Sequence, residues 1–200
     1  MAHIAVLGLG NWGTAVARMW LLDGHKVKGW TIEQEVYESI TMDGINSKYL
    51  PEHSVEGLEA TMRLEESLEG VEIVVLAIPS SVILNVVDDI IPHLRPGHVI
   101  IDLAKGLAPG KRLISDAINE KLKAANKSNP LAVVTGPTIA PEAAGGVMTT
   151  ALVASEDESV ANRLAETLTT QTFILHPASD PIGAELWGAF KNVIALTCGL

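Results

Sequence analysis

The stretch of sequence that decides the fold lies near the amino terminus and reads IAVLGLGNWGTAVA over residues 4–17. In this arrangement Gly8 permits a tight turn after the apolar run, and Gly10 lets the main chain approach a pyrophosphate. Gly13 lets the following helix pack closely on the strand. Because the N–H groups at the start of the helix then face the phosphates, the stretch predicts the opening of a dinucleotide-binding domain.

The composition of the chain indicates a globular protein of ordinary domain size. Its 200 residues are 48% hydrophobic, which is enough to form a core in one domain, or in one domain and the beginning of another. The 24 acidic residues outnumber the 14 basic residues, and the net charge is -10. Since this charge repels nucleic acid and anionic lipid, we expect a small-molecule partner, no nucleic-acid partner and no membrane insertion.

The cysteine and histidine content argues against a disulfide framework and against a metal site. Cys198 has no partner for an intrachain disulfide. The six histidines show no close pairing, and the sequence contains no cysteine pair of the kind that binds zinc. No secretory leader or apolar stretch of membrane-spanning length is visible. We therefore expect a cytoplasmic protein that binds no metal.

Apolar runs typical of strands alternate with helical patterns along the whole chain, and this alternation predicts an α/β fold. The expected architecture is a Rossmann-type, doubly wound, mostly parallel sheet with helices on both faces. Strands are predicted at residues 4–7, 26–30, 62–64, 71–78, 98–103, 131–134, 150–154 and 172–175. Helices are predicted at residues 12–22, 80–91, 111–125 and 182–200, and a loop at residues 46–51.

The pattern at the end of the chain predicts the start of a second domain. Residues 182–200 are typical of one helix, and the sequence stops without the glycine-then-polar pattern that commonly ends a helix. We therefore expect residues 1–180 to form the dinucleotide-binding domain. Residues 181–200 are expected to be the first helix of a helical carboxy-terminal domain whose remainder is absent.

The residues after the second strand bear on the choice of cofactor. Glu33 lies 20 residues after Gly13, where an acidic side chain commonly holds the ribose 2′-hydroxyl of NAD. Alternatively, Glu33 only stabilises the positive end of the helix that it precedes. Residues 31–34 contain no cation for a 2′-phosphate, which favours NAD over NADP.

Three segments are expected to meet at the carboxyl edge of the sheet, where ligands of such folds bind. They are residues 77–80 with Pro79, the pair Lys105-Gly106, and residues 136–138 with Gly136 and Thr138. Because Lys105 follows an apolar strand directly, its charge is expected to meet an anion or a dipole, with simple exposure to solvent as the alternative.

The last helix contains a lysine that is a candidate for proton transfer. Ala184, Gly188, Lys191 and Ala195 fall on one helical face, while Leu186, Phe190, Val193 and Ile194 form an apolar side. The strip of small residues leaves room for a neighbouring helix, with Lys191 reaching past it, or for a substrate beside a cofactor. A lysine partly desolvated in such a cleft has a lowered pKa, which suits proton exchange with a carbonyl or alcohol oxygen.

Several motifs together resemble one family of enzymes across essentially the whole chain. They are Gly8-x-Gly10-x-Trp12-Gly13-Thr14-Ala15, Asn46-x-x-Tyr49-Leu50-Pro51, Pro79-Ser80, Lys105-Gly106, Gly136-Pro137-Thr138-x-Ala140-x-Glu142 and Asp180-x-x-Gly183-x-Glu185-x-x-Gly188-Ala189-x-Lys191-Asn192-Val193. This set is similar to the successive motifs of the NAD(P)-dependent glycerol-3-phosphate dehydrogenases.

The resemblance implies a role for particular residues. It implies that Asn11, Trp12 and Ala140 contact the cofactor, and that Lys105 contacts both cofactor and substrate. It also implies that Gly136 and Thr138 touch the substrate and that Lys191 is the catalytic proton donor and acceptor. Together with the residues derived above, the expected cofactor site comprises Gly8, Gly10, Asn11, Trp12, Gly13, Ile32, Glu33, Pro79, Lys105 and Ala140.

The implied reaction is reversible hydride transfer between NAD(P)H and dihydroxyacetone phosphate, which yields glycerol 3-phosphate for phospholipid synthesis. A homodimer of the full-length protein is a further expectation. The sequence departs from the family pattern at Asn11, Thr135, Pro141 and residues 147–148, and none of these changes removes a catalytic group. Ile32 stands where many members carry a basic residue, which leaves NADP open but agrees with a preference for NAD.

Two other functions remain as alternatives. The first is a related oxidoreductase of another small substrate, such as the 6-phosphogluconate group, which shares the lysine-asparagine helix in outline. The second is a non-catalytic NAD-binding sensor module. Lys191 argues against the sensor, because a sensor needs no proton-transfer residue.

Overall fold

The structure, a computed structural model, describes residues 1–197 and Gly199, with the side chains of residues 192–195 left out. Cys198 and the predicted positions of the Ala195, Val193 and Ile194 side chains therefore lie outside the described residues.

The strands are β1 (His3–Leu7), β2 (Lys26–Trp30), β3 (Ile45–Asn46), β4 (Leu50–Ser54), β5 (Glu59–Thr61), β6 (Ile73–Leu76), β7 (Val99–Asp102), β8 (Leu131–Thr135), β9 (Thr149–Ala154) and β10 (Phe173–Ala178). The helices are α1 (Asn11–Leu22), α2 (Gln34–Asp43), α3 (Leu64–Ser67), α4 (Ile83–Ile90), α5 (Ile114–Ala124), α6 (Ala140–Ala144), α7 (Glu158–Leu168) and α8 (Pro181–Thr197).

A mostly parallel sheet forms the centre of the protein, as the alternating pattern predicts. Within the described residues it has 8 strands in the order β10-β9-β8-β7-β6-β1-β2-β5. Its strand pairs are parallel except for β8 and β9, which run antiparallel. The predicted α/β Rossmann-type fold is confirmed.

The two faces of the sheet are each covered by helices and form separate apolar cores. Along β1, Ile4 and Val6 belong to the core shared with α1 and α7, whereas Ala5 and Leu7 belong to the core shared with α4 and α5. Because side chains alternate along a strand, a strand buried on both faces reads as a continuous apolar run. The described part of the chain contains no helix both long and apolar enough to cross a bilayer.

The strand order creates the crevice in which a ligand can bind. β1 lies between β2 and β6, in parallel register with both. The chain crosses the sheet to one side after β1 and to the other side after β5, so the strand order reverses at β1. In folds of this type the carboxyl ends of the strands on either side of such a switch point open a crevice.

Two short segments before β6 differ from the prediction. Residues 46–51, predicted as a loop, contribute to the antiparallel pair of β3 and β4. The strand predicted at residues 62–64 lies earlier, at β5, which pairs with β2. Thr61 Oγ1 accepts a hydrogen bond from Arg63 N at 3.0 Å, and this local turn ends the strand and leads into α3.

Two predicted helices are shorter in the structure. The helix expected at residues 80–91 begins only at Ile83, because a turn in which Val82 N donates to Pro79 O at 3.0 Å precedes it. The helix expected from residue 111 begins at Ile114. Lys111 has a φ of 62°, a left-handed conformation that does not continue into a helix.

Candidate active site

The glycine-rich turn leaves an open space at the start of α1. Gly8 has a φ of +100° and its N–H donates to Trp30 O at 2.9 Å, while a Cβ on Gly13 would overlap the Gly8 carbonyl oxygen. A Cβ on Gly10 would meet no atom within 4 Å. Gly10 is also the N-cap of α1, and no side chain caps the helix. The uncapped N–H groups beside open space fit a pyrophosphate.

A groove of about 560 Å³ runs from this turn along the carboxyl edge of the sheet. The predicted cofactor residues that line it are Gly8, Gly10, Asn11, Trp12, Gly13, Ile32, Glu33, Pro79 and Lys105. Trp30, Tyr49, Ala77, Ile78, Val82, Val86 and Leu103 add an apolar lining that the sequence did not single out as a group. The size and the mixed lining of this groove suit a nucleotide cofactor.

Ala140 is the predicted cofactor residue that does not line this groove. It begins α6 and packs, together with Trp12, against Ala15, Leu50 and Ala144. Trp12 packs against this small apolar cluster and also lines the groove, so Ala140 and the groove share a neighbouring cluster.

At the end of β2, Glu33 is held by side chains from the turn between β3 and β4. Its carboxylate accepts hydrogen bonds from Lys48 Nζ at 2.5 Å and from the Tyr49 hydroxyl at 2.9 Å. Lys48 and then Tyr49 lower the pKa of the Glu33 carboxyl below its ordinary value. Glu33 is the N-cap residue of α2 and makes no side-chain capping bond. Its charge still lies at the positive end of that helix, so stabilisation of the helix end stays an alternative to a ribose contact.

The small residues of α8 allow this helix to lie directly on β8. Ala184 is buried, and a Cβ on Gly188 would come within 2.5 Å of Thr135 Oγ1. The strip therefore packs closely against a neighbour, as one interpretation predicted, but the expected helix was wrong because the neighbour is the strand β8. Lys191 extends beyond the contact, and its Nζ donates a hydrogen bond to the Gly136 carbonyl oxygen. Thr138 N donates to the same oxygen at 3.0 Å.

The amines of Lys105 and Lys191 are neighbours at this edge. Burial lowers the pKa of Lys191, and the positive charge of Lys105 lowers it further. Lys105 also lines the groove, and Lys191 binds the Gly136 carbonyl oxygen. The two lysines therefore place the groove next to the loop that contains Gly136. Two adjacent ammonium groups attract an anionic substrate, and a lysine of lowered pKa exchanges a proton more readily near neutral pH.

Two buried carboxyls near the lysines were not identified as functional from the sequence. Glu185 on α8 accepts hydrogen bonds from Ile114 N at 2.5 Å and from the Ser115 hydroxyl, and so caps α5. Asp102 ends β7, and burial raises the pKa of its carboxyl to about 7. The available signal was a charged residue within an otherwise apolar run, as at Asp102 in residues 99–103.

The sheet topology and the uncapped helix start beside the groove define a Rossmann-type nucleotide-binding domain. The model of one family, described as the NAD-dependent glycerol-3-phosphate dehydrogenase N-terminus, matches residues 3–161. The chain belongs to this family. The predicted resemblance is therefore confirmed, and the 6-phosphogluconate group is disfavoured.

Individual relatives match the chain from end to end. A glycerol-3-phosphate dehydrogenase [NAD(P)+] of an Exiguobacterium species is 39% identical over 202 residues, which span 100% of this chain and 59% of the relative. The enzyme of the same name from Syntrophotalea carbinolica is 34% identical over 199 residues, 99% of this chain and 60% of the relative. The crystal structure of glycerol-3-phosphate dehydrogenase from Coxiella burnetii superposes with a TM-score of 0.90 at 34% identity, covering 99% of this chain and 60% of that one. This chain thus spans about three fifths of the length of these relatives.

Proposed function

We propose that this chain is the cofactor-binding part of a glycerol-3-phosphate dehydrogenase. The complete enzyme transfers a hydride reversibly between NAD(P)H and C2 of dihydroxyacetone phosphate, which becomes glycerol 3-phosphate. The observation that carries the proposal is the meeting of Lys105 and Lys191 beside the Gly136 carbonyl oxygen, next to a groove that fits a dinucleotide. Relatives of that name along the whole chain support the substrate.

Lys191 acts in this proposal as the general acid and base. In reduction its ammonium donates a proton to the C2 oxygen of the substrate, and in oxidation its neutral amine accepts the proton from the alcohol. The lowered pKa of Lys191 brings these two forms closer in population near neutral pH. The dinucleotide, when bound, supplies or accepts the hydride.

The remaining site residues bind and orient the reactants. Lys105, which lines the groove and lies beside Lys191, attracts the anionic substrate and contacts the cofactor. Gly136 and Thr138 lie beside the Lys191 amine, so a substrate oxygen near that amine also contacts them. Holding both reactants in contact supplies a large part of the acceleration, and the Lys191 charge stabilises a developing alkoxide.

The last helix supports the presence of a second domain in the complete protein. Leu186, Trp187 and Phe190 on α8 are 38%, 65% and 46% exposed, and clustered exposed apolar side chains mark a contact surface. We infer that residues 1–180 form the cofactor domain and that residues 181–200 begin a helical domain that covers this face. A cytoplasmic location, a homodimer and a role in phospholipid synthesis complete the proposal, and the single cysteine agrees with a reducing compartment.

Two measurements test the proposal. Titration of this chain with NADH, followed by cofactor fluorescence, is expected to saturate at one site. A fusion of this chain to the remaining part of the Exiguobacterium relative is expected to consume NADH when dihydroxyacetone phosphate is added. Lys191→Ala in the fusion is expected to reduce turnover by at least about 100-fold, because general acid catalysis contributes on this order.

The matched control is Lys26→Ala, since Lys26 is an exposed lysine on β2 outside the groove lining. It is expected to leave turnover unchanged. Turnover that persists in Lys191→Ala would contradict the catalytic assignment. NADH binding without turnover in the unaltered fusion would instead favour the sensor module.

A further inference from the structure

A cluster of charged side chains lies around Glu33, at one end of the groove. We name Glu33, Glu35 and Lys48 the Lys48 clamp, because Lys48 Nζ donates to the carboxylates of both glutamates. Tyr49 supports it, since its hydroxyl donates to Glu33 at 2.9 Å and its ring centroid lies 5.5 Å from Lys48 Nζ. Glu33 and Tyr49 line the groove, whereas Lys48 and Glu35 are not among its lining residues.

The clamp carries a net negative charge around Glu33, the residue expected to bind the ribose 2′-hydroxyl at which the two dinucleotides differ. Pairing lowers the pKa of the Glu33 carboxyl and raises the pKa of the Lys48 amine, so both groups are charged at neutral pH. Two carboxylates against one ammonium leave a net charge of about -1 on the clamp. NADP differs from NAD by a 2′-phosphate that carries a charge of nearly -2 and is therefore repelled.

The groove residues next to Glu33 in the sequence supply no cation for a phosphate. Ile32 and Thr31 line the groove beside Glu33, and neither carries a charge. Lys48 contacts Glu33, which lines the groove, and is bound to both Glu33 and Glu35, whereas Arg63, after β5, is paired with Glu65 and Glu66. Whether a 2′-phosphate is accepted therefore depends on whether Lys48 can leave its carboxylates.

We propose that the Lys48 clamp determines the choice between NAD and NADP by holding Lys48 away from a 2′-phosphate. This inference rests on the proposed function, because it requires a dinucleotide in the groove. Glu33, oriented by Tyr49, keeps an acceptor for the ribose 2′-hydroxyl of NAD. Glu35 acts only by holding Lys48, so it is a positioning residue and not a cofactor contact.

The test is a comparison of NADH and NADPH binding to this chain by fluorescence titration. Glu35→Gln removes one of the two negative partners of Lys48, so Glu33 alone holds the amine and a phosphate competes for it more easily. The ratio of the NADPH to the NADH dissociation constant is expected to fall by about threefold or more, the scale on which exposed charge pairs act. Adding Lys48→Ala to Glu35→Gln is expected to restore a high ratio.

Glu38→Gln is the matched control, because it removes the same charge from α2 at a carboxylate that accepts from Gln34 and not from Lys48. A ratio that falls equally in Glu35→Gln and Glu38→Gln, or not at all, would overturn the clamp. A ratio that stays low after Lys48→Ala would overturn it as well. If the unaltered chain binds neither dinucleotide, the proposed function fails and the clamp fails with it, whereas NADH binding with an unchanged ratio defeats the clamp alone.

Discussion

The side-chain amine of Lys191 donates a hydrogen bond to the main-chain carbonyl oxygen of Gly136. This contact joins α8 to the loop that follows β8, two segments 55 residues apart in the sequence. It directs the Lys191 amine toward the carboxyl edge of the sheet, where Lys105 reaches it from the end of β7. The site thus depends on how α8, the loop after β8 and the end of β7 are packed together.

Replacement of Lys105 is expected to raise the pKa of Lys191. In Lys105→Met the repulsion between the two ammonium groups is lost, while the burial of Lys191 remains, so the pKa moves toward its ordinary value without reaching it. Competitive acetylation at several pH values, with mass spectrometry of each lysine, measures this pKa. Lys26→Met is the control, and an unchanged Lys191 profile in Lys105→Met would contradict the contact.

Substitutions of two glycines in the first turn are expected to have different effects, one on NADH binding and the other on the free energy of unfolding. Gly10→Ala places its Cβ in open space, so the chain is expected to keep its stability and to bind NADH more weakly, because the methyl group occupies the pyrophosphate position. Gly13→Ala drives a Cβ into the Gly8 carbonyl oxygen and is expected to cost about 1–3 kcal/mol of stability. Urea unfolding and NADH titration of both variants measure these effects. Loss of stability in Gly10→Ala would contradict the open space at this position.

Loss of the Glu185 carboxylate is expected to loosen α8 from α5. Glu185→Ala leaves the buried N–H groups of Ile114 and Ser115 without their acceptor, and we expect a loss of about 2–4 kcal/mol in the free energy of unfolding. Glu185→Gln keeps one acceptor oxygen and is expected to lose less. Urea unfolding of the three proteins measures the order, and equal stability of all three would show that the cap contributes nothing.

The buried carboxyl of Asp102 is expected to make stability depend on pH. Its pKa of about 7 in the folded state lies above the ordinary aspartate value of 3.8, so between these values the folded chain holds a proton that the unfolded chain has lost. The free energy of unfolding therefore falls as pH rises, by up to about 1.4 kcal/mol per pH unit from this group, and levels off above the folded pKa.

Asp102→Asn removes this slope. The variant is expected to gain stability relative to the unaltered chain mainly at about pH 8 and little at about pH 4, because only the ionised carboxyl is penalised by burial. Chemical unfolding of both proteins across this range isolates the contribution of Asp102 from that of other titrating groups. If the free energies of unfolding of the two proteins depended on pH in the same way, the proposed contribution of Asp102 would be refuted.

Much of the fold follows from short-range patterns in the sequence. The glycine spacing in residues 8–13 predicts the turn before α1, and the continuous apolar run predicts β6 within residues 71–78. Both signals are local, because a positive φ or burial on both faces restricts which residues a position tolerates. The same patterns bring the predicted groove residues to one edge, since parallel strands end on the same side.

The predictions that were wrong concern boundaries where local turns compete with periodicity. The strand expected at residues 62–64 lies earlier in the sequence, at β5, where it pairs with β2. The helix expected from residue 111 begins later, because Lys111 adopts a left-handed conformation. Apolar periodicity does not report such turns. The antiparallel pairing of β8 and β9 likewise depends on the path of the segment between them, which contains α6.

By itself, the sequence determined the parallel α/β class, the turn before α1 and the placement of one lysine after β7 and another within α8. Only the tertiary structure decided that Glu185 caps α5, that Lys48 holds Glu33 and that Lys105 lies beside Lys191. The physical reason is the range of the interactions. Backbone conformation and burial patterns act over a few residues, whereas hydrogen bonds and charge pairs between distant segments arise only after the helices have packed on the sheet.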